Sequence, residues 1–294
     1  MYDIIIIGAG PAGLTAAIYA RRASKTVLVL EALSYGGQII NTPDIENYPV
    51  AAHISGYEFA NKVYEQAQGL GAEFVFEKAV GITDKGDTKA VTTADNTYEC
   101  KAVIIATGSE NRKLGIADEE KLVGRGISYC ATCDGAFYRG KTVAVVGGGN
   151  TALEDALYLA DLAEKVYLIH RRDAFRGDET TVNALKQREN IEFVYNSTVT
   201  KLIADKRLSA IEVTDKNTGE VRTIELNGLF VAVGRIPENQ NFAQLIQLDE
   251  AGYVKAGEDC ITNVPGIFAA GDNRVKNVRQ LVTAAADGAV AATA

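Results

Sequence analysis

Residues 2–13 read Tyr-Asp-Ile-Ile-Ile-Ile-Gly-Ala-Gly-Pro-Ala-Gly. Four consecutive isoleucines, residues 4–7, predict a strand buried on both faces, as in a parallel sheet. The strand runs straight into Gly8-x-Gly10-x-x-Gly13, with Pro11 and Ala12 between the last two glycines. A small-residue helix is expected from Leu14 to about Ala23, then a second apolar strand over residues 26–30 ending at Glu31. Strand, glycine loop, helix, strand and terminal acid together make the βαβ unit of a dinucleotide-binding sheet. The glycines let the backbone turn tightly and approach a pyrophosphate, and the helix N-terminus offers N–H groups to the anion. Glu31 stands where a carboxylate accepts hydrogen bonds from ribose hydroxyls.

The device occurs twice. Residues 141–146 form another apolar strand, followed by Gly147-Gly148-Gly149-Asn150-Thr151-Ala152, a Gly-x-Gly-x-x-Ala loop that opens a helix. The next strand, residues 165–169, ends at His170-Arg171-Arg172. His170 stands as far beyond Gly147 as Glu31 stands beyond Gly8. An acid at that position suits a free 2′-hydroxyl. Arginines suit a 2′-phosphate, because guanidinium groups bind phosphate through forked, charged hydrogen bonds. Arg176 adds a third positive charge nearby. The plainer reading, a solvated strand end, is weakened by the register with the first repeat. The first loop is therefore expected to take FAD and the second NADPH, an electron relay between two dinucleotides.

Other strand ends agree. Residues 102–106 run into Thr107-Gly108, residues 229–233 into Gly234, and residues 266–270 into Gly271-Asp272. Ligands of open α/β sheets bind outside the carboxyl ends of strands. Asp272 can hold sugar-alcohol hydroxyls there; a turn or helix-cap role is the competing reading.

The chain has 294 residues, enough for two cores, and 47% of them are apolar. Its net charge of −8 comes from mixed acids and bases, which gives no basic face for nucleic acid. The longest aliphatic run is too short to span a bilayer and lacks the basic start of a signal peptide. No membrane association is expected, and a cytoplasmic location is, where structural disulfides are uncommon.

Four cysteines are present: Cys100, Cys130, Cys133 and Cys260. Cys130-Ala131-Thr132-Cys133-Asp134-Gly135 is the one close pair. Zinc needs four ligands, yet there is no second Cys-x-x-Cys, and the only histidines are His53 and His170; no metal is expected. A structural disulfide of this spacing closes too small a loop to stabilise much. Two inert buried thiols remain possible and suit Cys100 and Cys260. A redox pair fits Cys130 and Cys133 best, since Cys-x-x-Cys forms a small reversible disulfide. Asp134 would raise a neighbouring thiol's pKa, so it makes sense as an acid handling the proton at a departing thiol, against a plain turn or cap role.

With these residues in view, the chain resembles the low-molecular-weight bacterial thioredoxin reductases. The resemblance spans almost the whole length. It rests on Gly8-x-Gly10-Pro11-Ala12-Gly13, Gly36-Gly37-Gln38, Glu46-Asn47-Tyr48-Pro49, Ala106-Thr107-Gly108 and Cys130-Ala131-Thr132-Cys133-Asp134-Gly135. It continues through the second glycine loop, His170-Arg171-Arg172 with Arg176, Gly271-Asp272 and Arg279-Gln280. The family implies a homodimer of two-domain subunits that reduces thioredoxin, or a similar redoxin, with NADPH and FAD. Carried over, the flavin site takes the first glycine loop, Glu31, Gly37, Gln38, Asn47, Thr107, Gly108, Gly271, Asp272, Arg279 and Gln280, with Ala79 contacting adenine through its backbone. The NADPH site takes Gly147, Gly149, Asn150, Thr151, Ala152, His170, Arg171, Arg172 and Arg176. The resemblance also implies that Cys133 lies nearer the flavin and Cys130 attacks thioredoxin. The family's last helix usually runs further than Ala294.

Flavin motifs lie at both ends and the NADPH motifs between them. The expected fold is α/β, two Rossmann-like three-layer nucleotide-binding domains with the NADPH domain inserted into the FAD domain. The expected segments are residues 1–113 and 237–294 for FAD, and 114–236 for NADPH with the cysteine pair. Two other readings stand beside this one. A related flavin disulfide reductase could serve another redoxin or a peroxiredoxin system, although that relative generally carries an extra redox domain ahead of its first loop. A non-catalytic dinucleotide-binding module would have no use for the cysteine pair.

Overall fold

The computed structural model describes residues 1–42, 44–51 and 53–294. The chain divides into two compact units, Met1–Glu110 with Ile236–Ala294, and Asn111–Arg235. The second unit is thus inserted into the sequence of the first. Where the chain passes between them, the short strands Ser109–Asn111 and Arg235–Pro237 pair with each other.

The first unit is built on a seven-stranded sheet. Glu73–Val75, Val27–Leu30, Tyr2–Ile7 and Thr97–Ile105 lie side by side and parallel. The end of Thr97–Ile105 pairs in parallel with Ile267–Ala269, while its start pairs antiparallel with Lys89–Thr92, which continues to Gly81–Asp84. The strand period of two separates two cores. Ile5, Ile7, Leu28, Leu30, Val103 and Ile105 face one side. Ile6, Val27, Val29 and Ile104 face the other, against Leu14 and Ala17 of the helix Pro11–Arg22 and Ala284 and Ala291 of the helix Leu281–Thr293. Each fully buried aliphatic side chain contributes roughly 1.5–3 kcal/mol. A one-residue slip would exchange the two faces, so register is strongly held. Ile7 pairs with Leu30 and with Ile105, and Ile105 with Ala269. Gly8, Glu31, Ala106 and Ala270 therefore leave the sheet at one common end.

The second unit carries an all-parallel five-stranded sheet in the order Ile191–Val194, Lys165–Ile169, Thr142–Gly147, Gly228–Ala232, Ile127–Ser128. Val143, Val145, Val166, Leu168 and Phe230 pack on Leu153, Ala156 and Leu159 of the helix Asn150–Ala160. Ala144, Val146, Ile169, Leu229 and Val231 pack on Val199, Ile211 and Val213. Those last three belong to a three-stranded antiparallel sheet of Ser197–Ala204, Leu208–Asp215 and Val221–Glu225. Helix, parallel sheet and antiparallel sheet make the three layers. Val146 pairs with Ile169 and with Val231, so the second glycine loop and His170 leave this sheet at the same end. Among the described residues no helix is long and apolar enough to cross a membrane.

Candidate active site

In the first unit the glycine loop divides its tasks. Gly8 has φ +107°, and a Cβ there would lie 2.3 Å from the Ala106 carbonyl oxygen. At Gly13 a Cβ would lie 1.9 Å from the Gly8 oxygen. Both positions need glycine for the fold itself. Gly10 is different: a Cβ there would meet only the Cα of Gly37, at 4.0 Å. Its missing side chain leaves a cradle for a ligand. Gly10 also caps Pro11–Arg22 without any side chain over the helix N-terminus, which suits an anion.

Glu31 closes back on this loop. Its two carboxylate oxygens accept the Ala9 amide at 2.8 Å and the Leu33 amide at 3.0 Å. A carboxylate has about four acceptor directions, so capacity remains for ribose hydroxyls. Beside it lies a small pocket lined by Glu31, Lys78, Ala79, Thr107, Glu238 and Asn241. The Asn241 side chain donates to the Ala79 carbonyl at 3.4 Å.

Tertiary structure links several more residues of this set. The Thr107 hydroxyl donates to Asn239 Oδ1 at 3.3 Å. Asn239, fully buried, donates to the carbonyls of Gly252 and Asn273 at 2.9 and 2.7 Å. Asn273 in turn donates to the Ile105 carbonyl at 2.9 Å. Two buried amides thus tie the Thr107-Gly108 turn to the Gly271-Asp272 turn. Gly271 has φ +88°, and a Cβ there would lie 2.9 Å from the Ala12 methyl group, which places this turn against the start of the first helix. Asn47 donates to Gln280 Oε1 at 3.1 Å, joining residues far apart in sequence. The Arg279 guanidinium lies 4.3 Å from the centre of the Tyr253 ring. Its buried Nε finds no acceptor among the described residues. An unmet buried donor is costly, and a phosphate oxygen would satisfy it. The cradle at Gly10, the helix N-terminus and this donor all fit a dinucleotide.

The second loop follows the same plan with different chemistry. A Cβ on Gly147 would lie 2.4 Å from the Ala232 oxygen and 2.6 Å from the Ala152 methyl group. At Gly149 a Cβ would meet nothing within 4 Å, so this position, like Gly10, is open to a ligand. The segment after His170 folds back onto the loop. The Arg176 amide donates to the Gly148 carbonyl at 2.8 Å, and the Asp178 amide to Asn150 Oδ1 at 2.8 Å. Thr151 is exposed in the first turn of Asn150–Ala160. Arg171, Arg172 and Arg176 are exposed, and among the described residues none of them has an ion-pair partner. Three uncompensated guanidinium groups beside a helix N-terminus fit a phosphate well.

His170 sits apart from those cations in character. It is buried, its ring packs against Gly148, and its Nε2 has no hydrogen-bond partner among the described residues. Burial first, then the charges of Arg176, Arg172 and Arg171, hold its pKa below the usual histidine value. The ring lies 5.3 Å from that of Phe175. It shapes the wall of the loop, while the arginines carry the charge.

Cys130 and Cys133 form a disulfide, with an S–S distance of 2.07 Å and Cα atoms 5.3 Å apart. The edge strand Ile127–Ser128 delivers the chain to Cys130, and the short helix Ala131–Asp134 carries its partner. Both cysteines are half-buried, whereas Cys100 and Cys260 are fully buried free thiols. Burial pushes both of those up to about 11, which makes them inert. Asp134 is also raised, by burial, against a lowering hydrogen bond from Ser128 at 2.6 Å. Ser128 further accepts the Cys130 amide at 3.1 Å. The Cys130 sulfur lies 3.5 Å from the Thr132 hydroxyl. Behind the pair, buried Glu119 accepts the Tyr129 hydroxyl at 2.8 Å and the amides of Leu114 and Gly115, both at 2.9 Å.

Sequence reasoning did not single out Ser128, Glu119, Asn239 or Asn273. Ser128 had a weak signal, a hydroxyl two residues before a cysteine. Asn239 and Asn273 act through contacts made far along the chain and had none, and Glu119, whose partners lie four to ten residues away, stands in no motif.

Two glycine loops that each open a helix at a strand end, together with a Cys130–Cys133 disulfide beside a carboxyl of raised pKa, fit the design of a pyridine-nucleotide-linked disulfide oxidoreductase. The sequence model of the pyridine nucleotide-disulphide oxidoreductases matches residues 2–289, and the chain belongs to that family. It is 43% identical over 292 residues to the thioredoxin reductase of Listeria innocua, covering 99% of this chain and 92% of that one. To the thioredoxin reductase of Bacillus subtilis it is 42% identical over 293 residues, with 99% and 93% covered. Among solved structures, thioredoxin reductase from Streptococcus pyogenes superposes with a TM-score of 0.95 at 42% identity, covering 100% of this chain and 96% of that one. The enzyme from Giardia duodenalis gives 0.94 at 36% identity, covering 99% and 96%.

Proposed function

We propose that this chain is an NADPH-dependent, FAD-containing reductase of the thioredoxin disulfide, working in the cytoplasm as a homodimer. The observation that carries the reading is the half-buried Cys130–Cys133 disulfide beside a carboxyl whose pKa burial raises. Likeness to thioredoxin reductases over 99% of the chain names the substrate class.

In this reading the unit Met1–Glu110 with Ile236–Ala294 is the FAD domain, and Asn111–Arg235 is the NADPH domain. NADPH supplies a hydride, and FAD passes the electron pair on to the disulfide. Gly10 and the first turn of Pro11–Arg22 hold the flavin pyrophosphate, and Glu31 the adenosine ribose. Asp272, Arg279 and Gln280 hold the remainder of the flavin chain. Gly149 and the first turn of Asn150–Ala160 hold the pyrophosphate of NADPH, and Arg171, Arg172 and Arg176 its 2′-phosphate. Once the pair is reduced, the Cys130 thiolate attacks one sulfur of thioredoxin's disulfide and forms a mixed disulfide. The carboxyl proton of Asp134 goes to the departing thioredoxin thiolate. The Cys133 thiolate then attacks Cys130 Sγ, which restores the Cys130–Cys133 bond and expels the second thioredoxin sulfur as a thiolate that takes a proton from solvent.

The experiment follows flavin colour and NADPH consumption in one cuvette. The purified protein should be yellow, and NADPH should bleach it without oxygen. Oxidised thioredoxin should restore the colour and sustain NADPH oxidation. Bleaching without any response to thioredoxin would turn the reading towards a reductase of a different redoxin. A protein that NADPH never bleaches would end it.

A further inference from the structure

The helix Leu281–Thr293 is almost wholly small and apolar, yet it carries one buried acid, Asp287. Its carboxylate takes four hydrogen bonds. Oδ2 accepts the Gly271 amide at 2.9 Å, Arg274 Nε at 2.8 Å and Lys276 Nζ at 2.9 Å. Oδ1 accepts Arg274 Nη2 at 2.8 Å. Arg274 and Lys276 are both nearly inaccessible to solvent. An acid buried with two cations is poor evidence of stability, since desolvation offsets much of the attraction. Its worth lies in the geometry it imposes.

That geometry converges on the flavin side of the first unit. Gly271 immediately precedes Asp272. Gly288, next to Asp287, packs so closely that a Cβ there would lie 2.1 Å from the Ala12 carbonyl oxygen. A Cβ on Gly271 would lie 2.9 Å from the Ala12 methyl group. Asp287 therefore pins the Gly271-Asp272 turn at the point where the last helix rests on the first turn of Pro11–Arg22. Arg274 also accepts Arg279 Nη2 on its carbonyl at 3.4 Å, so the same network reaches the guanidinium group whose Nε awaits an acceptor.

We infer that Asp287 is a positioning residue for the flavin, holding Asp272 and Arg279 in place relative to the Gly10 cradle. The inference rests on the reading that this unit binds FAD. Burial opposes ionisation of Asp287, but the bonds from Arg274, Lys276 and the Gly271 amide outweigh it and keep the carboxyl below its usual pKa. The group is charged throughout the neutral range, as two cationic partners require. Asn at this position keeps the shape and one acceptor oxygen while removing the charge, so it separates positioning from simple packing.

The test uses full-length protein purified with its flavin. FAD release is followed as a rise in flavin fluorescence on dilution, and NADP⁺ affinity is measured by calorimetry on the same samples. For Asp287→Asn, FAD release should be at least about tenfold faster, since hydrogen bonds to a charged group are lost. NADP⁺ affinity should be unchanged, and excess FAD should restore NADPH oxidation. Lys276→Met removes one donor and leaves the Gly271 bond, so its FAD release should fall between the two. It carries the test if Asp287→Asn does not fold. Wild-type release rates in both variants would overturn the inference. Parallel loss of FAD and NADP⁺ would also overturn it, because that is general unfolding. A wild-type protein that takes up no FAD would overturn the flavin reading itself. The other failures differ from it in that the wild type is loaded.

Discussion

The Ser128 hydroxyl donates a 2.6 Å hydrogen bond to Oδ2 of Asp134. Burial raises the carboxyl's pKa, and this bond lowers it, so Ser128 tunes the pH at which the proton is lost. Ser128→Ala removes the lowering influence. The folded-state pKa of Asp134 should rise, and the alkaline limb of thioredoxin-dependent turnover should move to higher pH. Flavin reduction by NADPH should keep its pH profile. A stopped-flow pH series on both steps checks this; an alkaline limb that moves down would contradict it.

Cys130→Ser and Cys133→Ser separate the two half-reactions. Each should leave the flavin reducible by NADPH and abolish thioredoxin reduction, because hydride transfer needs only the nucleotides. Anaerobic bleaching and a coupled thioredoxin assay give the two readings. Wild-type thioredoxin reduction by either variant would remove the disulfide from the pathway.

Arg171 and Arg172 have no ion-pair partner among the described residues. Replacing both with alanine should therefore cost little stability. Hydrogen bonds to charged groups contribute roughly 1.5–3 kcal/mol each, so NADPH binding should weaken about tenfold or more. NADH binding should hardly change. Equal loss for both nucleotides would show that the pair shapes the loop instead of reading the phosphate.

Gly288→Ala should destabilise the first unit. The added methyl group would sit 2.1 Å from a backbone oxygen of the neighbouring helix, which cannot move aside as a side chain would. Overpacking of this kind costs about 1–3 kcal/mol. Denaturant unfolding would detect it, and a variant as stable as the wild type would show that the helix contact is looser than its geometry.

Asp155, on the helix Asn150–Ala160, is pushed up to about 7 by burial, with Arg235 opposing and Glu154 adding. A carboxyl raised on folding favours the folded state below its unfolded pKa. That contribution is lost as pH rises from about 4 through about 7. Asp155→Asn removes the penalty, so its Tm should exceed the wild type's at pH 8 and the difference should shrink towards pH 4. Melting curves across that range decide it; a variant less stable at pH 8 would mean that Arg235 outweighs burial.

Much of this protein is legible along the chain because its signals are local. The isoleucines at residues 4–7, the spacing Gly8-x-Gly10-x-x-Gly13 and the small helix behind them act within one βαβ unit, as do Gly147, Gly149 and Ala152 in the second. The contrast between Glu31 and His170-Arg171-Arg172 is a contrast at matched positions of two repeats. Cys130, Cys133 and Asp134 are neighbours, so their chemistry could be weighed before any fold was known.

What only the tertiary structure decided is which glycines serve the backbone and which leave room for a ligand, and what holds the strand ends together. Gly8 and Gly10 look alike in sequence. At one a Cβ would collide with the Ala106 carbonyl at the end of a different strand, and at the other it would meet only the Cα of Gly37, at 4.0 Å. His170 reads as a member of a basic cluster, yet burial against Gly148, with the neighbouring arginine charges, holds its pKa below the usual histidine value. Asn239, Asn273 and Asp287 stand in stretches with no motif. They matter because folding brings them to carbonyls, amides and cations many residues away, where water cannot compete. Periodicity and spacing encode local backbone form and ligand chemistry. Desolvation and long-range hydrogen bonding arise only when distant segments close around a group, and they set its charge and its role.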